Sequence, residues 1–289
     1  MERTRDRWAR WLLERRHGGD EEQLERLLPD LDEFRERVIA NAAIEPGDVL
    51  LDVGTGDGLI AFAALEHVGP QGRVVFSDIS TDLLEECERV AEELGVLDRC
   101  EFVEASADAL PFDDELVDVV TTRSVLIYLM DKEPAVREFH RVLRPGGRLS
   151  IFEPINSFGR EENLRRYYGL DVTPVQDLAE KIMTRWRAPA EHPLTNFDER
   201  DLLRWVRDAG FKQTRMDYRA EQRIERLTMN ADTFLNSSGN PLDPTPKEEM
   251  VEILEPEEQV EFEAFVRKTI ASQPVVQRWL AGVFLRAVK

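Results

Sequence analysis

Apolar and polar positions change their spacing several times along this 289-residue chain. Through residues 3–43 the apolar ones recur every three or four positions, at Trp8, Trp11, Leu12, Leu24, Leu27, Leu28, Leu31, Phe34, Val38 and Ile39. That period predicts amphipathic helix, and Gly18-Gly19-Asp20 splits it in two. After Pro46-Gly47-Asp48 the pattern becomes short apolar runs of strand length, at 49–53, 73–77, 100–104, 116–122 and 148–153. Helical stretches at 58–68, 81–94 and 132–143 are interleaved with them, and Arg144-Pro145-Gly146-Gly147 reads as a sharp turn. Runs without a polar face are buried parallel strands, and their alternation with helices predicts an α/β fold. The expected architecture is a doubly wound, mostly parallel sheet with helices on both faces.

Beyond Pro154 the rhythm breaks. Residues 156–192 are polar helical pieces, 197–209 is a good helix closed by Gly210, and 211–219 reads as a sixth strand. A proline-rich loop and an acidic helix fill 221–272, and 278–288 reads as a seventh, closing strand. The division that follows has a helical N-terminal segment over 1–45 and a core over 46–155. The remainder, 156–289, completes the sheet near 197–220 and 275–289, with helical insertions near 156–192 and 221–272.

The chemistry starts at Leu50-Leu51-Asp52-Val53-Gly54-Thr55-Gly56-Asp57-Gly58, where an apolar strand runs into a glycine-rich turn. Such a first βα turn in a doubly wound sheet is where nucleotides bind. The dinucleotide spacing G-x-G-x-x-G is not met, because Leu59 stands at its last position. Asp52, directly before the turn, suits a ligand with positive charge better than one bearing phosphates. Asp78 ends the second strand, where a carboxylate can accept hydrogen bonds from both ribose hydroxyls, with Ile79 against the base. An N-cap for the next helix is the alternative for Asp78.

Asp52-Val53-Gly54-Thr55-Gly56-Asp57-Gly58 resembles the first motif of class I S-adenosylmethionine-dependent methyltransferases. Glu104-Ala105-Ser106-Ala107-Asp108-Ala109-Leu110-Pro111-Phe112 is similar to a segment of the quinone-biosynthesis and related small-molecule methyltransferases. Leu143-Arg144-Pro145-Gly146-Gly147-Arg148-Leu149 matches the same group's turn into strand five. The resemblance covers about the first half of the chain. It implies a seven-stranded Rossmann-like sheet and S-adenosyl-L-methionine as cofactor, with S-adenosyl-L-homocysteine as product. It further implies contacts through Asp52, Gly54, Thr55 and Gly56, with Asp78 and Ile79 at the adenosine. Ser106 and Ala107 fall at the adenine edge, with Asp108 as a second choice for Ser106's role. Arg123 falls at the methionine part of the cofactor. A cation there points at an acidic acceptor, at Asp118 or at the methionine carboxylate, and the sequence leaves the three open.

Charge narrows the partners. With 38 basic and 58 acidic residues the chain carries −20, which argues against a nucleic-acid backbone as ligand. No apolar run approaches the ~20 residues that span a bilayer. The charged start resembles no signal-peptide core, and Cys87 and Cys100 fit reduced thiols, so a cytoplasmic location is expected. Four scattered histidines and no cysteine pair predict no metal site.

Methyl transfer is an in-line displacement in which the protein chiefly supplies alignment. Glu153 is the expected general base by position, with Tyr128 and His17 as further candidates near the methyl group; Arg16, Asn156 and His192 are within the same expected region. Tyr167, Tyr168 and Trp186 are candidates for an acceptor pocket. The N-terminal helices would act as a lid and the insertions as an acceptor cap, which suits a small molecule. Two other readings stay open: methylation of a protein or peptide side chain, and a non-catalytic protein that binds the cofactor or a partner. The acidic N-terminal helices offer a surface for a homodimer.

Overall fold

The computed structural model describes residues 4–186 and 192–289, so 187–191 of the first expected insertion lie outside it. Asp6 caps a short helix α1 (Arg7–Arg10), which runs on as a π-helical turn to Arg15. The two glycines at 18 and 19 then release the chain into α2 (Glu21–Ala42), capped by Asp20. The core alternates β1 (Val49–Val53), α3 (Leu59–Val68), β2 (Arg73–Asp78), α4 (Thr81–Glu93), β3 (Cys100–Glu104), β4 (Val117–Arg123), α5 (Glu133–Val142) and β5 (Leu143–Pro154). After it come α6 (Arg160–Asn163), α7 (Gln176–Trp186), α8 (Glu199–Asp208) and β6 (Lys212–Arg226). The chain ends with α9 (Ala231–Asn236), α10 (Pro246–Ile253), α11 (Pro256–Ala271) and β7 (Val275–Val288).

The seven strands form one sheet in the order β3-β2-β1-β4-β5-β7-β6, all parallel except β7, which runs against both its neighbours. Successive residues of a strand face opposite sides, and both sides are apolar here. Leu50, Val74, Phe76 and Val119 meet α2, α3 and α4, while Leu51, Val53, Val120 and Ile151 meet α5 and α8. The doubly wound, mostly parallel sheet expected from the pattern is therefore present.

Two expectations are corrected. Arg144-Pro145-Gly146-Gly147 makes no reversal: it is a bulge inside β5. Leu143 pairs with Val117 and Arg148 with Val119, so four residues are looped out opposite one. The bulge closes on the chain's last residue, with the Gly146 N–H donating to the Lys289 carbonyl and the Lys289 N–H to Gly147. Pro145 gives no donor to a ladder, so it fits a bulge and not regular pairing. The second correction concerns β6, which continues through residues 221–226, assigned above to an insertion. Its pairing with β7 holds to Arg226 opposite Val275, although β5 leaves β7 at Pro154 opposite Gly282. A two-stranded ribbon thus extends beyond the rest of the sheet. On it sits a third apolar core, built from Tyr167, Ile182, Phe234, Met250, Phe262 and Val276 among others.

Candidate functional site

The turn after β1 has a backbone only glycine adopts easily. Gly54 and Gly56 have φ of +68° and +58°, and a Cβ on Gly54 would lie 2.2 Å from Val125. The loop is tied to β2: the N–H groups of Gly54 and Thr55 donate to the Ser77 carbonyl at 2.7 and 2.9 Å, and that of Gly56 to the Asp78 carboxylate at 2.9 Å. Val53 is flanked in the ladder by Ser77 and Thr122. The hydroxyls of both are buried and have no hydrogen-bond partner among the described residues. Buried polar groups are normally paired, so these two orphaned hydroxyls beside the glycine turn are polar groups that the described residues leave unsatisfied.

Asp78 is nearly buried, and burial pushes its carboxyl up. It does not cap α4; Ser80 does, accepting from the Leu83 N–H at 3.1 Å. Asp78 instead accepts from the Ser80 N–H at 2.9 Å, and Ile79 beside it is 47% exposed. The segment after β3 is joined to this corner by the Ala105 N–H donating to the Asp78 carbonyl at 2.9 Å. There Ala107 is buried, and Ser106 donates its hydroxyl to Asp108, so the two candidates for the adenine edge act as one unit. Asp52 lies deeper. It accepts from the Thr121 hydroxyl at 2.7 Å and, wholly buried, has its carboxyl pushed up to about 7.

Glu153 is also fully buried. Its carboxylate accepts from the N–H groups of Val125 and Leu126 at 2.8 Å and of Ile127 at 3.2 Å. Those three bonds fold the chain after β4 into the single helical turn Leu126–Tyr128. Burial holds the carboxyl up at about 7 despite them. Glu153, the expected general base, thus holds a loop through three backbone donors. The loop is fixed further on by Lys132, which sequence reasoning missed. Its ammonium donates to the carbonyls of Leu129 and Pro193 and to Asn196, and burial brings it down to about 8. In the sequence Lys132 stands only at the start of the helical stretch 132–143, with nothing local to mark its carbonyl partners.

Arg123 leaves the end of β4 toward α2, its guanidinium 5.3 Å over the Phe34 ring. Of its three expected partners, Asp118 is taken: that carboxylate binds Arg144 at 2.9 Å and the Val49 N–H at 2.9 Å. Tyr128 is largely buried, and burial raises its hydroxyl well above its usual range. Its ring meets Trp8 edge to face at 5.0 Å.

Trp8 belongs to a strap, residues 4–20, that crosses this corner. Asp6 accepts from the Ser80 hydroxyl at 2.6 Å, two residues from Asp78. Leu12 packs on Gly56, and the Trp11 indole donates to the Ser238 carbonyl at 2.9 Å. Arg15 pairs with Glu248. His17 lies at the far end: its carbonyl accepts from Asp20, which in turn holds the Thr233 hydroxyl at 2.7 Å. The His17 backbone thus stands at the junction to the third core, and its Nδ1 is buried without a hydrogen-bond partner among the described residues. Tyr167, Tyr168 and Trp186, the candidates for an acceptor pocket, are packed into the third core. They pack on one another, Tyr167 stacked 5.4 Å from Trp186, around the buried Glu249, to which the Trp186 indole donates at 2.8 Å. Asn156 is exposed, and His192 accepts from the Leu194 N–H within its own turn. Among the described residues no cluster could hold a metal ion, and no helix is long and apolar enough to cross a membrane.

Comparison with known proteins agrees with this geometry. Residues 31–221 match the model of the ubiE/COQ5 methyltransferase family. The chain is 32% identical over 191 residues to the ubiquinone/menaquinone biosynthesis C-methyltransferase UbiE of Francisella tularensis, covering 62% of this chain and 72% of the relative. It is 34% identical over 183 residues to UbiE of Cronobacter sakazakii, covering 59% and 69%. Among solved structures, YcgJ of Bacillus subtilis superposes with a TM-score of 0.55 at 15% identity, over 88% of this chain and 98% of that one. The cyclase SpnF gives 0.52 at 21% identity, over 89% and 81%. Those two likenesses concern the fold alone. With its glycine turn, Asp78 and the matched family model, the chain belongs to the ubiE/COQ5 methyltransferase family and is an S-adenosylmethionine-dependent methyltransferase.

Proposed function

We propose that the acceptor is a small hydroquinone-type ring and that the methyl group goes to a ring carbon. The relatives' names carry the acceptor class, and the covered site supports a small molecule. The observation that bears most weight is the corner formed by Asp78, the glycine turn, and the orphaned hydroxyls of Ser77 and Thr122. These residues fit S-adenosylmethionine, which when bound supplies an electrophilic methyl group on sulfur. Asp78 would hold the ribose hydroxyls and Ile79 the adenine face. Ser106, Ala107 and Asp108 would hold the adenine edge. The backbone of Gly54, Thr55 and Gly56 would carry the methionine part, with Asp52 as buried negative charge behind it.

The chain's own residues then align the acceptor and exclude water. The strap acts as the lid, covering Gly56 with Leu12 and Tyr128 with Trp8. Glu153 and Lys132 stiffen the loop that presents Tyr128. A ring activated by an ionised hydroxyl is itself a carbon nucleophile, so a dedicated strong base is not required. A peptide acceptor would need an open groove at this rim, which the strap covers.

Calorimetry with S-adenosylmethionine, S-adenosylhomocysteine and NAD, followed by turnover with hydroquinones, tests the reading. Binding of both adenosyl ligands and not NAD is expected, with loss of about 100-fold in Asp78→Ala because two charge-assisted hydrogen bonds disappear. Binding of NAD alone would sink it.

A further inference from the structure

The chain carries a large excess of acid, and many of its arginines are ion-paired. Arg123 and Arg16 are exceptions whose charges act on one another. Arg123 is partly buried at the end of β4, and its Nε is buried and makes no hydrogen bond among the described residues. Arg16 ends the strap with its guanidinium 5.7 Å over Trp11. Among the described residues neither joins an ion pair, and each rests on an aromatic face instead.

The two repel each other. Burial first, then the nearby charge of Arg16, brings Arg123 down to about 10, with Asp57, Tyr128 and Glu153 opposing only in part. Tyr128 feels both guanidiniums, so the pair flanks the loop where the acceptor is expected. A guanidinium cannot shed its proton at ordinary pH. A buried one without a partner is costly, and an anion is what relieves it. Arg16 is carried by the strap, so this half of the charge sits on the segment that crosses the site.

We propose that Arg123 and Arg16 form a two-guanidinium site for an oxyanion of the acceptor, an ionised ring hydroxyl in the reading above. The inference rests on that reading for the acceptor's place. It assigns Arg123 and Arg16 to substrate binding and makes the charged, not the neutral, acceptor the species selected. The rival source of the same chemistry is the carboxylate of the cofactor's methionine part.

The test uses the full chain saturated with S-adenosylhomocysteine and 4-nitrophenol as probe, whose anion is yellow. Bound to wild type, the phenol should ionise with an acid constant raised about tenfold or more, as a carboxylate's is beside a cation. Arg16→Gln and Arg123→Gln should each remove most of that shift. Arg16→Gln, on the strap, keeps the test sound if Arg123→Gln folds poorly. Unchanged ionisation in wild type, or no binding of the phenol to the complex, overturns the proposal. So does a variant that loses S-adenosylhomocysteine tenfold yet keeps its affinity for 5′-methylthioadenosine, which lacks the carboxylate. Absence of S-adenosylhomocysteine binding in wild type would instead remove the methyltransferase reading underneath.

Discussion

Trp8 and Tyr128, 120 positions apart in the chain, meet edge to face with ring centres 5.0 Å apart. The contact ties the strap to the loop after β4 across the cofactor corner. An aromatic pair of this kind contributes about 0.5–1.5 kcal/mol beyond its buried area. Trp8→Ala should therefore speed release of S-adenosylhomocysteine by about 2- to 12-fold, the rate equivalent of that range. Stopped-flow displacement reads this directly, and an unchanged release rate would mean the strap does not gate the site.

Glu153 gives a prediction about stability. Glu153→Ala leaves three buried N–H groups without an acceptor and should cost about 2–4 kcal/mol in urea unfolding. Glu153→Gln keeps an acceptor and should cost clearly less. The carboxyl sits at about 7 in the folded chain against 4.5 when free. The folded state thus binds the proton more tightly, and stability falls as pH rises through the window between those values. Asp52, pushed up in the same way, shares the window. Glu153→Gln should flatten part of the decline; an identical slope would show that the carboxyl titrates normally.

Gly54 and Val125 form a steric pair. Gly54→Ala should abolish cofactor binding, since the new methyl group falls 2.2 Å from Val125 at a φ of +68°. Adding Val125→Ala should restore binding only in part, because the left-handed backbone still costs about 1–2 kcal/mol. Full rescue would mean the backbone strain is trivial, and no rescue that the contact is not the cause.

Lys132→Met should release the chain around Pro193 and Asn196. Three hydrogen bonds from one ammonium are lost, each contributing about 1.5–3 kcal/mol in favourable cases. Limited proteolysis should then cut near residues 192–197 faster than in wild type. Equal protection there would mean the segment is held by packing.

What could be read from the sequence followed from local physics. The strands β1, β2 and β4 are apolar on both faces, so their runs announce themselves, and the glycine turn needs conformations few residues adopt. Asp78 was legible because the strand's end is fixed by the same pattern. The length of β6 was not, since most of its residues from 212 to 226 are exposed and give no alternation. Nor was the work of Glu153, whose partners are backbone groups 26 to 28 positions away. The bulge at Pro145 and Gly146 looks like a turn in any local window. Only the pairing of residues on both sides shows that the strand continues.

The ribbon formed by β6 and β7 has one more consequence. The third core rests on strands that run, without a break in hydrogen bonding, into the central sheet. A body joined that way cannot swing on a hinge; opening it would tear the ladder. It forms a fixed wall, whereas the strap from Asp6 to Arg15 is fastened by scattered contacts and not by a ladder: Asp6 to Ser80, Trp11 to the Ser238 carbonyl, the Arg15 carbonyl to the Ser238 N–H, and Arg15 to Glu248. On the proposed reading, selection among acceptors would then be a matter of fitting a rigid recess, and the pace of the cycle would follow how often a short helix lets go.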